Sequence, residues 1–210
     1  MTSCLYTLTL ADEIAGISVR LTLTMEDGTK YYHDWIKGED YFSADEISLD
    51  FEAFDNLLGA KGFFLGVNAW GWMYERGYYA VAEGKPVLMA DSWGLGDDYI
   101  RDIDGDGENE LLCNVMWGDG ACRGVVYHYA DGQVYAGNME DLLDEPYDDW
   151  GVASYGCEFL EEENVVRVWF WKEALGDYEE KKYAVALEKI AMRPYEPVLE
   201  VPACFEWESE

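Results

Sequence analysis

Apolar and polar residues alternate along most of this chain with a period of two. Residues 4–10, 17–25 and 29–36 read as strands from that alternation and from their β-branched content. Asp27-Gly28, between the last two, is a strong hairpin turn. From Gly62 onward the pattern predicts almost nothing but strands. Phe63–Trp70, Trp72–Val81 and Pro86–Ser92 come first, with Glu83-Gly84 as a turn. Leu111–Trp117, Arg123–Tyr129 and a strand after Asp131-Gly132 follow, and strands over 152–161, 164–172 and 178–188 complete the series. Val165-Val166-Arg167-Val168-Trp169-Phe170-Trp171 is apolar on both faces, which marks a central, covered strand.

One segment departs from the period of two, and a helix is expected near 44–58. Ser43 and Glu46 have the spacing of a capping box. Ile47, Phe51, Phe54 and Leu58 fall at helical spacing, and Gly59 suits the position after the last turn. Ile47, Leu49 and Phe51 also alternate, which leaves open a helix that starts only near Asp50. The acidic connector Glu140–Trp150, with Pro146, reads as a surface loop. The tail from 191 to 210, with Pro194, Pro197 and Pro202, reads as an extended segment.

A faint internal echo links Tyr79–Val87 with Tyr127–Val134, each a strand, an acidic-Gly turn and a strand. Residues 62–190 then divide into three blade-like meanders of roughly 40–50 residues, a propeller-type spacing, with ordinary hairpins as the competing reading. Three blades do not close a propeller. The expected fold is mainly β: antiparallel meanders forming an incomplete propeller-like or curled sheet, with the one helix. The expected organisation is a single domain over 1–210, with a hairpin-and-helix subregion over 1–60, the blade-like region over 62–190 and the extended tail.

The chemistry concentrates in Asp102-Ile103-Asp104-Gly105-Asp106-Gly107-Glu108-Asn109-Glu110-Leu111. Carboxylates stand at relative positions 1, 3, 5, 7 and 9, and glycines at 4 and 6. Calcium takes six to eight oxygen ligands at roughly 2.3–2.6 Å, and such a turn can deliver several of them from one short stretch. Gly107 permits the sharp bend, and the Glu108 carbonyl can serve as the ligand at relative position 7. An EF-hand loop would need a bidentate Glu at position 12 and then a helix. Here position 12 is Cys113 and a strand follows.

This segment resembles the calcium loop of FG-GAP/VCBS-type repeats, found in integrin-like β-propeller blades. Their pattern is Asp-x-Asp-Gly-Asp-Gly-x-x-Asp/Glu followed by an apolar strand, and the likeness covers about residues 98 to 139. The resemblance implies side-chain ligands at Asp102, Asp104, Asp106 and Glu110 and a backbone ligand at Glu108. Those families stack several such loops, whereas this chain carries one. The competing reading is an acidic turn that binds nothing, since Asp and Gly are good turn formers. Five carboxylates in nine residues repel one another without a counter-ion, which favours a cation. Ca2+ is expected ahead of Mg2+, which keeps more of its water, and its role is expected to be structural.

Composition changes the list of partners more than the fold. The 210 residues carry 44 Asp and Glu against 14 Lys and Arg, a formal charge of −30. That disfavours nucleic acid and anionic membrane surfaces. Half of the residues are apolar and 16% aromatic, so a packed core is expected rather than a disordered acidic tail. No apolar run approaches the roughly 20 residues of a membrane-spanning helix. The first ten residues alternate like a strand and lack the pattern of a signal peptide, which leans towards the cytoplasm. Five cysteines match no zinc spacing, and a hairpin would place Cys113 opposite about residue 125 rather than Cys122. Cys4, Cys157 and Cys204 are expected to pack as small hydrophobes. Thiols suit a reducing compartment, whereas weak calcium sites suit extracellular calcium of about 10⁻⁴–10⁻³ M.

No catalytic motif stands out. His33 and His128 both lie beside tyrosines on alternating strands and read as packed or surface histidines. Nucleophile elbow, zinc-protease and phosphate-loop patterns are missing, and with so many acids any carboxylate pair can be picked by eye. Trp70, Trp72 and Tyr74 share one face of an expected strand and could form a sugar platform. The plainer reading is that they fill the core. The expectation is a non-catalytic, calcium-binding β-rich interaction module with a protein or carbohydrate ligand. A carbohydrate-active protein and an acidic decoy for a basic protein are the alternatives.

Overall fold

The period of two folds as antiparallel sheet. The computed structural model describes residues 7–14, 17–36, 48–68, 74–116, 122–143, 154–172, 177–197 and 206–209. These form four sheets, none closed into a barrel. They group into two compact units, Met1–Asp55 with Ala60–Asp91 and Pro197–Glu210, and Asn56–Gly59 with Ser92–Glu196. No helix among the described residues is long and apolar enough to cross a membrane.

In the first unit, β1 (Thr7–Ile14), β2 (Ile17–Thr24) and β3 (Lys30–Ile36) form a meander. The expected Asp27-Gly28 turn joins β2 to β3. Gly28 has φ 86°, and the Asp27 carboxylate accepts from the Thr29 N–H at 2.8 Å. Across this pair Arg20 stands opposite Asp34. Its Nε and Nη2 each donate to one carboxylate oxygen at 2.7 Å, a two-pronged fit that suits guanidinium.

The Arg20 hydrogen bond, the largest influence, holds the Asp34 carboxyl below its ordinary 3.8. The folded chain therefore takes up this proton at lower pH than the unfolded chain. The resulting stability is present above 3.8 and is lost as pH falls through the folded value. Solvent reaches both side chains, so Asp34→Asn should cost only about 0.5 kcal/mol at neutral pH. Urea melts at neutral pH and at successively lower pH should show that difference shrink as the carboxyl protonates; a cost that does not change with pH would refute the pairing.

The second sheet of this unit is a meander of β4 (Ser48–Leu57), β5 (Ala60–Asn68), β6 (Tyr74–Ala82) and β7 (Lys85–Trp93). Here the expected helix is corrected. Residues 44–47 lie outside the described residues, and 48–57 are strand rather than helix. Leu49 and Phe51 are half-buried while Ser48, Asp50 and Glu52 are exposed. The Phe51 ring lies 5.2 Å from that of Phe63 on β5. The alternation therefore outweighed the helical spacing, because only a strand lets Leu49 and Phe51 share one buried face. Gly59 caps no helix. With Leu58 (φ 52°) it makes a two-residue turn at φ 72°, the left-handed pair that a tight hairpin requires. Glu83-Gly84 and Asp131-Gly132, both expected turns, repeat these angles.

The core of this unit is Leu21, Leu23, Met25, Tyr31, Phe63, Leu65, Val67 and Tyr79, with Trp207 from the tail packed against it. The tail also adds β16 (Glu208–Ser209) to the edge of β3.

In the second unit, β8 (Asp98–Arg101), β9 (Glu110–Met116), β10 (Cys122–Ala130) and β11 (Gln133–Asn138) form a meander, and β15 (Arg193–Pro194) extends it beyond β11. A three-stranded meander holds β12 (Ser154–Leu160), β13 (Val165–Lys172) and β14 (Asp177–Ala184). β8 has only four residues, too few for alternation to reveal. The acidic connector begins inside rather than on the surface: Met139–Leu142 is a 3₁₀ turn that buries Met139 and Leu142. The rest of the connector, 144–150, lies outside the described residues.

Leu112, Val126, Met139, Phe159, Val166 and Val168 belong to the core of this unit. Asn114 pins β9 to β12. Its amide donates to the Phe159 carbonyl at 3.0 Å and accepts from the Phe159 N–H at 2.7 Å. Cys113 stands opposite Val125 as expected. Cys113, Cys122 and Cys157 are buried, and burial pushes the Cys122 thiol up to about 12; Cys4 and Cys204 lie outside the described residues.

Candidate metal centre

The acidic loop connects β8 to β9, strands that pair from Asp98↔Cys113 to Arg101↔Glu110. A loop closed by paired strands must turn back within eight residues, and glycines in the left-handed region make that possible. Gly105 has φ 80° and Gly107 has φ 95°, conformations costly for any residue with a Cβ.

Within the turn the aspartates bond to the backbone that follows them. Gly105 N–H donates to Asp102 Oδ1 at 2.7 Å, and Gly107 N–H donates to Asp102 Oδ2 at 3.1 Å. Asp106 N–H donates to Asp104 Oδ1 at 3.1 Å, and Glu108 N–H donates to Asp106 Oδ1 at 2.8 Å. These bonds are the common preference of Asp in turns. They also gather the three carboxylates, which offer oxygens within 4.8 Å of one another.

Glu110 differs from the rest. Its side chain is 1% exposed, while Asp102, Asp104 and Asp106 are open to solvent. Oε2 accepts from the Ile103 N–H at 2.8 Å, closing the loop on itself. Oε1 lies 3.0 Å from His128 Nδ1. Burial raises the Glu110 carboxyl above its ordinary value. The bonds from Ile103 and His128 oppose the rise, and the charge of Asp104 adds to it. Asp104, Glu110 and His128 make a second set with ligand atoms within 4.8 Å of one another. Asp104 belongs to both sets.

A second clasp comes from the hairpin tip, also in this unit. Asn56 Nδ2 donates to the Gly107 carbonyl at 2.9 Å. Leu58 N–H donates to the Asn109 carbonyl at 2.9 Å. Asn109 Nδ2 returns a bond to the Asn56 carbonyl at 2.7 Å. The Gly107 and Asn109 carbonyls, on either side of Glu108, are thus held by the hairpin tip.

The structure brings the acidic side chains into two sets that share Asp104 rather than into one: Asp102 with Asp104 and Asp106, and Asp104 with Glu110 and His128, each of which could hold a metal ion. Asp102, Asp104, Asp106 and Glu108 sit in one loop and Glu110 opens β9 directly after it, because the five are neighbours in sequence. Sequence reasoning missed His128 and Asn56, which lie 18 and 51 residues from their partners. The only signal for His128 lay in strand register. With Tyr127 opposite Leu111, the next step of the ladder brings His128 to Glu110. Among the expected platform residues, Trp70 and Trp72 lie outside the described residues. Tyr74 is half-buried, and its hydroxyl donates to Asp50 Oδ2 at 3.0 Å. The Arg76 guanidinium lies 4.5 Å from its ring centre. Comparison with protein-family models, with curated proteins and with solved structures finds no match.

Proposed function

We propose that this chain is a non-catalytic, calcium-binding β-rich interaction module whose ion serves a structural purpose. The reading is carried by one observation: Asp102, Asp104 and Asp106 offer oxygens within 4.8 Å of one another, and Asp104 is equally near Glu110. Asp102, Asp104, Asp106 and Glu110 would hold the ion through carboxylates, and Glu108 through its carbonyl. Bound calcium would supply positive charge that offsets repulsion within a chain of net charge −30. The residues do the rest. The aspartates stay gathered by their turn bonds, Glu110 is anchored from β9, and the hairpin tip keeps the peptides in place.

A structural role is favoured by where the loop sits. It joins two paired strands of a five-stranded sheet, so ordering it extends the order of that sheet. Calcium is favoured over magnesium because a donor set rich in protein oxygens suits the larger ion, which gives up its water more readily.

Calorimetric titration with calcium and, separately, with magnesium tests the reading. Calcium should bind at one site per chain and more tightly than magnesium. Binding of neither ion would reduce the loop to an acidic turn and remove the proposal.

A further inference from the structure

Four of the five donor residues lie at least partly open to water, and one does not. Glu110 is 1% exposed, so its carboxylate depends on protein partners for its orientation and for the solvation it has lost. Ile103 serves Oε2 from within the loop. Oε1 is served from outside it, by His128 of β10.

We propose that His128 is a positioning residue of the cation centre, holding the Glu110 carboxylate in the orientation that faces Asp104. This rests on the reading of the loop as a cation site.

Three observations support it. The β9–β10 register that ends at Tyr127↔Leu111 brings His128 and Glu110 side by side on one face. The same face carries Leu112 and Val126, both fully buried in the core of the unit, so the ring is braced by the sheet rather than by a loop. With Glu110 ionised its oxygens only accept, so the tautomer that makes this 3.0 Å bond is the one with its proton on Nδ1. In that tautomer Nδ1 donates and is no metal ligand, so through this atom His128 acts on Glu110 rather than on the ion. Carboxylate ligands are commonly oriented by such outer partners, and loss of one typically lowers metal affinity about 10–100-fold.

The test is calcium calorimetry on the wild type, His128→Phe and His128→Gln, with thermal melts in chelator and imidazole 15N spectra of the wild type. His128→Phe keeps a flat ring and removes the donor; its calcium affinity should fall about 10–100-fold. His128→Gln restores an N–H donor and should recover most of that loss. Melts in chelator identify the folded variants, and if the Phe variant does not fold, the Gln variant and the spectra decide. The wild-type ring should keep its Nδ1 proton when calcium is added. Wild-type affinity in a folded Phe variant would overturn the inference, as would an Nδ1 that loses its proton to the ion. Either result leaves the cation site standing. A wild type that binds no calcium would instead remove the site, and the inference with it.

Discussion

Calcium at about a thousand times its Kd should stabilise the wild-type protein by about 4 kcal/mol, and Asp104→Ala should abolish that gain. For a chain of this size each kcal/mol moves the melting temperature by about 2–4 °C, so the expected rise is roughly 10 °C. Asp104 is the informative position because it belongs to both sets of ligand atoms. Its removal takes away the one residue common to the aspartate cluster and the set with Glu110. The same substitution should have a small effect in chelator, because two changes oppose each other. It removes the acceptor for the Asp106 N–H, an exposed bond at 3.1 Å. It also removes one of several crowded negative charges, and that crowding contributes to the raised Glu110 carboxyl. Paired melts in calcium and in chelator measure both. A calcium-dependent rise that survives Asp104→Ala would show that the loop does not hold the ion.

Asn114→Leu should destabilise the second unit by about 2–5 kcal/mol, although leucine matches asparagine closely in size. Asn114 is 5% exposed, and its amide satisfies both the N–H and the carbonyl of Phe159. Leucine leaves those two backbone groups buried without their partner, at about 1–3 kcal/mol each. The gain in apolar surface is smaller than that penalty, because the site is already sealed from water. The cost should appear in denaturant melts with calcium absent, which separates it from any effect on the metal loop. A change under about 0.5 kcal/mol, the range of ordinary surface substitutions, would mean that β9 and β12 are held together by apolar packing alone.

Much of the architecture was legible along the chain. The strands from 17 to 36 and from 60 to 93 lie within a few residues of their expected places, because alternation with turn glycines leaves few other ways to bury one face. The same reasoning misjudged 48–57. Phe51, Phe54 and Leu58 fit helical spacing as well as Leu49 and Phe51 fit alternation. Local spacing could not choose between them, and packing of Phe51 against Phe63 did. Leu58-Gly59 passed as a helix end because leucine is not a turn residue, yet the hairpin draws Leu58 into the left-handed region at φ 52°. β8 escaped notice because four residues carry too little pattern, and its pairing with β9 makes it a strand.

The candidate site divides along the same line. Asp102, Asp104, Asp106, Glu108 and Glu110 could be named from sequence because a turn is a local structure. Its bonds span two to seven residues, and residue order sets which groups can meet. The surroundings of that turn were decided elsewhere. Glu110 is buried because β9 lies against β10, and it meets His128 because one strand register was chosen over its neighbours. The Gly107 and Asn109 carbonyls are held by a hairpin tip more than 50 residues away. The sequence by itself determined a β chain with one turn dense in Asp, Glu and Gly. Only the tertiary structure decided which distant side chains brace that turn, because contacts across a sheet depend on register and burial, which no local pattern encodes.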